Sequence, residues 1–271
     1  AHMSNAFGQQ VIVENKAGAS ANIGTEFVAT SAPDGCTLLL GNNTGVVINR
    51  NLYKLRVDPV QGLTPVGAVA SVPLVIYINA GIPATNLNQL VELARKSPGK
   101  FSYASGGSGS PQHLMGELLK LEKGLDIVHI PYKGQAQAMN DLIGGQLQYM
   151  FSPIQNALPQ IQQGRLKALA VASATRHKAM PQVPTLNEQG YQGVELTNWF
   201  AVYAPINTPP AVVKKLNAAF IQAGKEQKMK EKLDTLGFES FFTTSEEATD
   251  FMRSEIVRWA RVAAYAGIKA E

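Results

Sequence analysis

Along the chain, short runs of β-branched and aromatic residues alternate with stretches in which apolar residues recur every three or four positions, the pattern of a sheet with helices packed on its faces. Val11 to Val13, Thr37 to Leu40, Phe101 to Ala104, Asp126 to Ile130, Gln148 to Phe151 and Lys167 to Ala172 read as strands bounded by Gly, Pro, Asn or Ser. Between them, Leu87, Leu90, Val91 and Ala94 form one buried helical stripe, and Ala136, Met139 and Ile143 form another. Pro209 and Pro210 open a later helix with Val212, Leu216, Ala219, Phe220 and Ala223 turned inward, and Gly224 is expected at its C′ position. Thr244 with Glu247 reads as a capping box ahead of a last helix carrying Met252, Ile256, Trp259 and Ala263 on one face before Gly267. The fold class is α/β.

Two longer apolar runs, Val72 to Ile78 and Trp199 to Ala204, lack clean alternation, as expected of strands buried on both faces or passing between lobes. They divide the chain into a discontinuous lobe, 1–77 with 204–271, and a continuous one, 78–203. At 271 residues with 45% hydrophobic and 16% charged positions, a sizeable core is affordable. No stretch approaches the roughly 20 apolar residues needed to cross a bilayer, so no membrane insertion is expected. The net charge of +4 raises nucleic acid as a partner, but the densest basic cluster, Lys225 to Lys232, is broken by Glu226 and Glu231 and reads as a solvated helix face. Cys36 is the single cysteine, which excludes an internal disulfide. The opening Ala1-His2-Met3 reads as a vector-derived lead, with no basic-apolar signal peptide after it, so any export signal is expected to have been removed.

The most informative stretch is 104–114, where a strand enters the glycine-rich run Ser105-Gly-Gly107-Ser108-Gly109-Ser110 and then a helix, with Ser110 suited to N-cap and Pro111 to N1. Such a loop is expected to turn backbone N–H groups, hydroxyls and a helix N-terminus toward an anion. It lacks the third glycine of a dinucleotide fingerprint, the lysine of a Walker loop and the closing glycine of a nucleophile elbow around Ser108. Ser97-Pro-Gly-Lys100 matches a Ser-x-x-Lys string but sits at a helix end and reads as a turn. His113, His129 and His177 show no metal-ligand spacing, so no metal or other cofactor is expected. His113 either donates to an anion or is a satisfied structural histidine. A second strand end, Ile130-Pro-Tyr132-Lys133-Gly134, offers a phenol, a cation and free N–H groups. A third, Leu40-Gly-Asn42-Asn43-Thr44-Gly45, offers three polar side chains on a turn. Strand ends rich in Gly, Ser, Thr and Asn without an acid/base couple point to binding, because ligands of open α/β sheets sit at the carboxyl ends of strands.

Ordered strings along almost the whole chain carry a resemblance: Val13-Glu-Asn-Lys-Ala-Gly18 with Asn22-Ile-Gly24, Ala32-Pro-Asp-Gly35 before Leu38 to Gly41, and Asn49-x-x-Leu-Tyr53. Ala104 to Leu114, Pro131-Tyr-Lys-Gly134, Asp141-Leu-x-x-Gly145, Val183-Pro-Thr185, Gly190 and Trp199 to Pro205 continue it. The chain resembles the substrate-binding proteins of tripartite tricarboxylate transporters, the Bug receptors. The resemblance implies a two-lobed type II periplasmic-binding fold with a carboxylate between the lobes, held by backbone N–H groups, hydroxyls and water without an arginine clamp. It also implies a periplasmic location and delivery of the ligand to membrane subunits of such a transporter.

Two departures stand out. Family members begin with a strand and glycine-rich loop ahead of the first helix, and on the order of 30 residues, one βα unit, are expected to be missing before Ser4. Phe151-Ser152-Pro153 stands where many relatives carry an acidic residue, so an organic acid without an amino group is expected, with any apolar body near Phe151, Trp199 and Phe200. Two rival readings differ in class: a small hydrolase built on Ser108 or His113, and a metabolite sensor read by a signalling partner.

Overall fold

A computed structural model describes residues 2–16, 18–192, 197–265 and 267; Ala1 of the opening tripeptide and Ala17 of the 13–18 string lie outside the described residues. In chain order the elements are α1 (His2–Phe7), α2 (Asn22–Ala29), β1 (Leu39–Asn42), α3 (Asn49–Leu52), α4 (Pro59–Gly62), β2 (Leu63–Asn79), α5 (Leu87–Arg95), β3 (Phe101–Ser105), α6 (Pro111–Lys123) and β4 (Ile127–Pro131). They continue with α7 (Gln135–Ile143), β5 (Tyr149–Pro153), α8 (Ile154–Gln162), β6 (Leu166–Val171), β7 (Thr197–Pro205), α9 (Pro210–Lys225), α10 (Gln227–Thr235), β8 (Glu239–Ser240) and α11 (Ser245–Tyr265). The chain forms two compact units, 1–71 with 199–261, and 72–198 with the end of α11 from Val262. These divisions fall a few residues before the crossings expected at 77 and 203, inside the long strand β2 and near the start of β7.

In the first unit, β1 pairs antiparallel with β7, β7 neighbours β2, and the early part of β2 pairs with β8 at Ala70 and Ser71. Val66, Val202, Ala204, Val213 and Leu216 form a core cluster with Phe7, Leu38, Val69, Val212 and Phe220 packed on it. The carboxylate of Glu255 lies inside this unit and accepts from the indole N–H groups of Trp199 at 2.7 Å and Trp259 at 2.9 Å. The capping box forms as expected: Thr244 Oγ1 accepts from the Glu247 amide, and the Glu247 carboxylate accepts from the Thr244 amide. Two expectations fail. Val11 to Val13 pairs with no strand among the described residues, with Ile12 74% and Val13 88% exposed, because β propensity makes no strand without a neighbour to pair with. Gly224 does not end its helix. It lies within α9, where an added Cβ would stand 2.4 Å from the Phe242 ring, so the glycine serves close packing.

In the second unit, the strand order is β4-β3-β5-β2-β6, with β4, β3 and β5 parallel and β2 antiparallel to both β5 and β6. Leu87, Leu90, Val91 and Ala94 of α5 are all buried, as their spacing predicts. On α7 the buried residues are Ala138, Met139 and Leu142, so Ala136 and Ile143 lie off the buried face. Helix α6 lies so close to β3 that a Cβ on Gly116 would stand 2.0 Å from the Tyr103 ring. That approach lets the Tyr103 hydroxyl donate to Glu117 at 2.8 Å and to the His113 carbonyl at 3.1 Å.

Candidate functional site

The carboxyl ends of β4, β3 and β5 lie side by side, and each leads into a helix, so the N-termini of α6, α7 and α8 share one edge of the second unit's sheet. The glycine-rich loop leaves β3 at Ser105. Gly107 (φ 130°) and Gly109 (φ 76°) adopt backbone conformations that L side chains rarely take, which lets the chain double back before Pro111. Ser110 caps α6 by accepting the His113 amide at 3.3 Å. Against this loop lie Gln135, whose Cγ is 3.4 Å from the Cβ position of Gly106, and the Tyr132 carbonyl. Gln135 in turn accepts from Ser152 Oγ at 3.1 Å and Asn156 Nδ2 at 2.6 Å, so all three strand ends are joined by uncharged polar groups. Gln135 and Asn156 had no sequence motif to mark them; only the side-by-side pairing of β3, β4 and β5 brings them to the loop.

The loop is more self-contained than its composition predicts. The Gly107 amide donates to Ser105 Oγ, the Gly109 amide to His113 Nδ1 and the Ser110 amide to the Gly107 carbonyl, so these three N–H groups are spent within the loop and its helix. Ser105 and Gly109 are buried, whereas Ser108 is exposed and Gly107 and Ser110 are half-buried. The helix N-termini differ: Ser110 caps α6, while neither Gly134 before α7 nor Pro153 before α8 makes a side-chain cap bond. The positive ends of α7 and α8 therefore face this edge without a cap from the residue that precedes each helix. Tyr132 is half-buried and donates to Asp141 at 2.6 Å; burial and then this carboxylate push its phenol up to about 12. Lys133 is exposed and Ser152 is buried.

Beneath the loop is a column of rings. His113 stacks on His129 with centroids 3.8 Å apart and planes within 9°, and His129 stacks on Tyr103 at 4.8 Å. Burial lowers the His113 imidazole, and burial with the neighbouring His113 pulls His129 down to about 4. His113 is thus a satisfied acceptor.

The first unit holds Asn42, Asn43, Thr44, Trp199 and Phe200. Asn42 lies opposite Phe200 in the β1–β7 register, and Phe200 meets the edge of Phe238. The expected polar turn after Leu40 is instead a strand through Asn42 that runs straight into a buried π-helical turn, Thr44–Ile48, with Asn43 fully buried. Asn42 Oδ1 accepts from the Gly45 amide at 3.1 Å. Two aromatic candidates are core side chains: Trp199 is bound to Glu255, and Phe151 packs with Leu87, Met115, Leu186 and Tyr191 around a small apolar cavity in the second unit. Neither ring offers an exposed surface, because each lies on the strand face turned to the helices.

The family model for the TctC tripartite tricarboxylate transporter family receptor matches residues 1–268. The chain belongs to this family. This TctC receptor is 35% identical to BugT of Bordetella pertussis over 98% of the chain and 82% of that protein. Its fold is that of periplasmic binding proteins of the TctC/Bug type. It superposes on R. palustris Rpa4515, solved with adipate, with a TM-score of 0.90 and 31% identity, covering all of this chain and 91% of the other. It superposes on MatC from Rhodopseudomonas palustris, solved with bound malate, with a TM-score of 0.84 and 29% identity over 97% and 90% of the two chains. The family and fold are those of solute-binding receptors. Among the described residues, no helix is long and apolar enough to cross a membrane.

Proposed function

We propose that this chain is a periplasmic receptor that binds a small dicarboxylate without an amino group and delivers it to the membrane subunits of a tripartite tricarboxylate transporter. The observation that carries this reading is the second unit's polar edge, where α7 and α8 start without a side-chain cap of their own and carry Gln135 and Asn156, bonded to each other, on their first turns. Helix N-termini and neutral donors favour a carboxylate over an ammonium, for which this edge offers neutral oxygens and Asp141, a carboxylate that already accepts from Tyr132 through one oxygen. Adipate and malate, each bound to a solved relative, are both dicarboxylates. Phe151 and Trp199 are buried, which leaves the half-buried Phe200 alone of the three aromatic candidates and weighs against an aromatic acid.

Thermal unfolding against succinate, malate, adipate, benzoate, acetate and aspartate at fixed pH and salt tests this. A ligand at about 100 times its dissociation constant adds roughly 2.7 kcal/mol, which raises the midpoint of a chain of this size by several degrees. A shift confined to succinate, malate or adipate is expected; a shift with aspartate or benzoate alone overturns the reading.

A further inference from the structure

The stacked imidazoles beneath the glycine-rich loop are not accounted for by ligand binding. His113 Nδ1 accepts the Gly109 amide at 3.0 Å, so that nitrogen carries no proton and the ring is the Nε2–H tautomer. Ser105 Oγ lies 2.8 Å from His129 Nε2, donates to the Gly107 carbonyl at 2.9 Å and accepts the Gly107 amide at 3.2 Å. A hydroxyl has one proton, so all three contacts hold together only when His129 Nε2–H is the donor to Ser105. Two stacked rings 3.8 Å apart, that of His113 neutral by its role as acceptor, therefore grip the loop at two points, Gly109 and Ser105.

We propose that His113 positions the glycine-rich loop by accepting the Gly109 amide, with His129 stacked on it to hold the ring neutral, so that a proton on His113 Nδ1 releases the loop. A proton on His113 Nδ1 would face the Gly109 N–H with a second donor and break that bond. The site resists this in three ways: burial, a second imidazole against the ring face, and the positive N-terminal turn of α6. The other charged or titratable groups around the column are Glu117 and Lys120 of α6, Tyr103 of β3 and Tyr149 of β5. Glu117, bonded to Tyr103 and to Lys120 at 2.8 Å, pulls the other way and raises both imidazoles, while Lys120 lowers them; burial outweighs it. The consequence for a bound acid rests on the receptor reading above: the loop is set for ligand at neutral pH and let go in acid.

The test is nitrogen NMR of the whole chain without ligand from pH 7.5 to 4.5, following the ring nitrogens of both histidines and the amides of Gly107, Gly109 and, as a control with no imidazole partner, Gly134. The Gly109 amide is expected to move with the midpoint of the His113 ring, and Gly134 to stay still. His113→Asn keeps an acceptor at the Nδ1 position and cannot titrate, so its Gly109 amide should be flat over the same range. A Gly109 amide that is indifferent to His113, or that moves equally in His113→Asn, overturns the proposal. If the variant fails to fold, the wild-type midpoints decide alone. A second arm titrates malate: half of the loops released at the His113 midpoint should weaken binding about twofold in wild type and not in His113→Asn. An equal pH dependence in both contradicts the coupling, whereas no binding of any acid would count against the receptor reading and leave the NMR result to judge the histidines.

Discussion

Two strand ends with similar polar sequences, 105–110 in the second unit and 41–45 in the first, take opposite structural courses. After β3, Gly107 and Gly109 enter the left-handed side of backbone space, and the chain makes a partly exposed loop before a capped helix. After β1, Asn43 and Thr44 follow helical geometry at once, and the π-helical turn 44–48 is nearly all buried. Gly45 is there for closeness, since a Cβ would stand 2.9 Å from Thr25 Oγ1. The difference teaches that glycine count alone does not make a ligand loop; what matters is whether the glycines carry positive φ or admit a neighbouring side chain.

The comparison breaks most visibly at Gly116. Gly116→Ala would drive a methyl into the Tyr103 ring and is expected to cost about 3 kcal/mol, read by denaturant unfolding. In the first unit, Asn49→Leu removes the buried amide that donates to the Ser20 carbonyl and to Asn22, at a cost of about 2 kcal/mol by the same measurement. Acid sharpens the contrast. His129 has a folded value near 4 against 6.5 unfolded, so the fold binds fewer protons than the unfolded chain; its stabilising share is whole above about 6.5 and is lost as pH falls toward 4. Discounted for partial solvent access, the loss is about 1 to 2 kcal/mol, and the stability–pH slope in that window should flatten in His129→Gln. Ser110→Ala removes an N-cap and should cost about 1 kcal/mol, whereas Thr44→Ala, inside a helical run, should stay within about 0.5 kcal/mol.

Periodicity and punctuation made much of the fold legible. The α5 stripe, the Ser110–Pro111 start of α6 and the Thr244–Glu247 box each depend on residues within one helical turn, where local physics decides. Long-range contacts were hidden. His113 and His129 are sixteen positions apart and meet only because β4 pairs parallel with β3, and Gln135 reaches Gly106 for the same reason. Trp199 and Phe151 looked like ligand-facing aromatics because a hydrophobic run buried on both faces has no period to say which side chain is covered. Val11 to Val13 had the composition of a strand and no neighbouring strand to complete it.

The proposed receptor prefers a carboxylate without an ammonium. Calorimetric titration of the chain at pH 7.5 with malate and, separately, aspartate tests it most directly, because the two ligands differ in one hydroxyl against one ammonium. The account predicts one malate site per chain and aspartate binding at least about tenfold weaker, a difference of about 1.4 kcal/mol. Aspartate binding as tightly as malate, or more tightly, would contradict it.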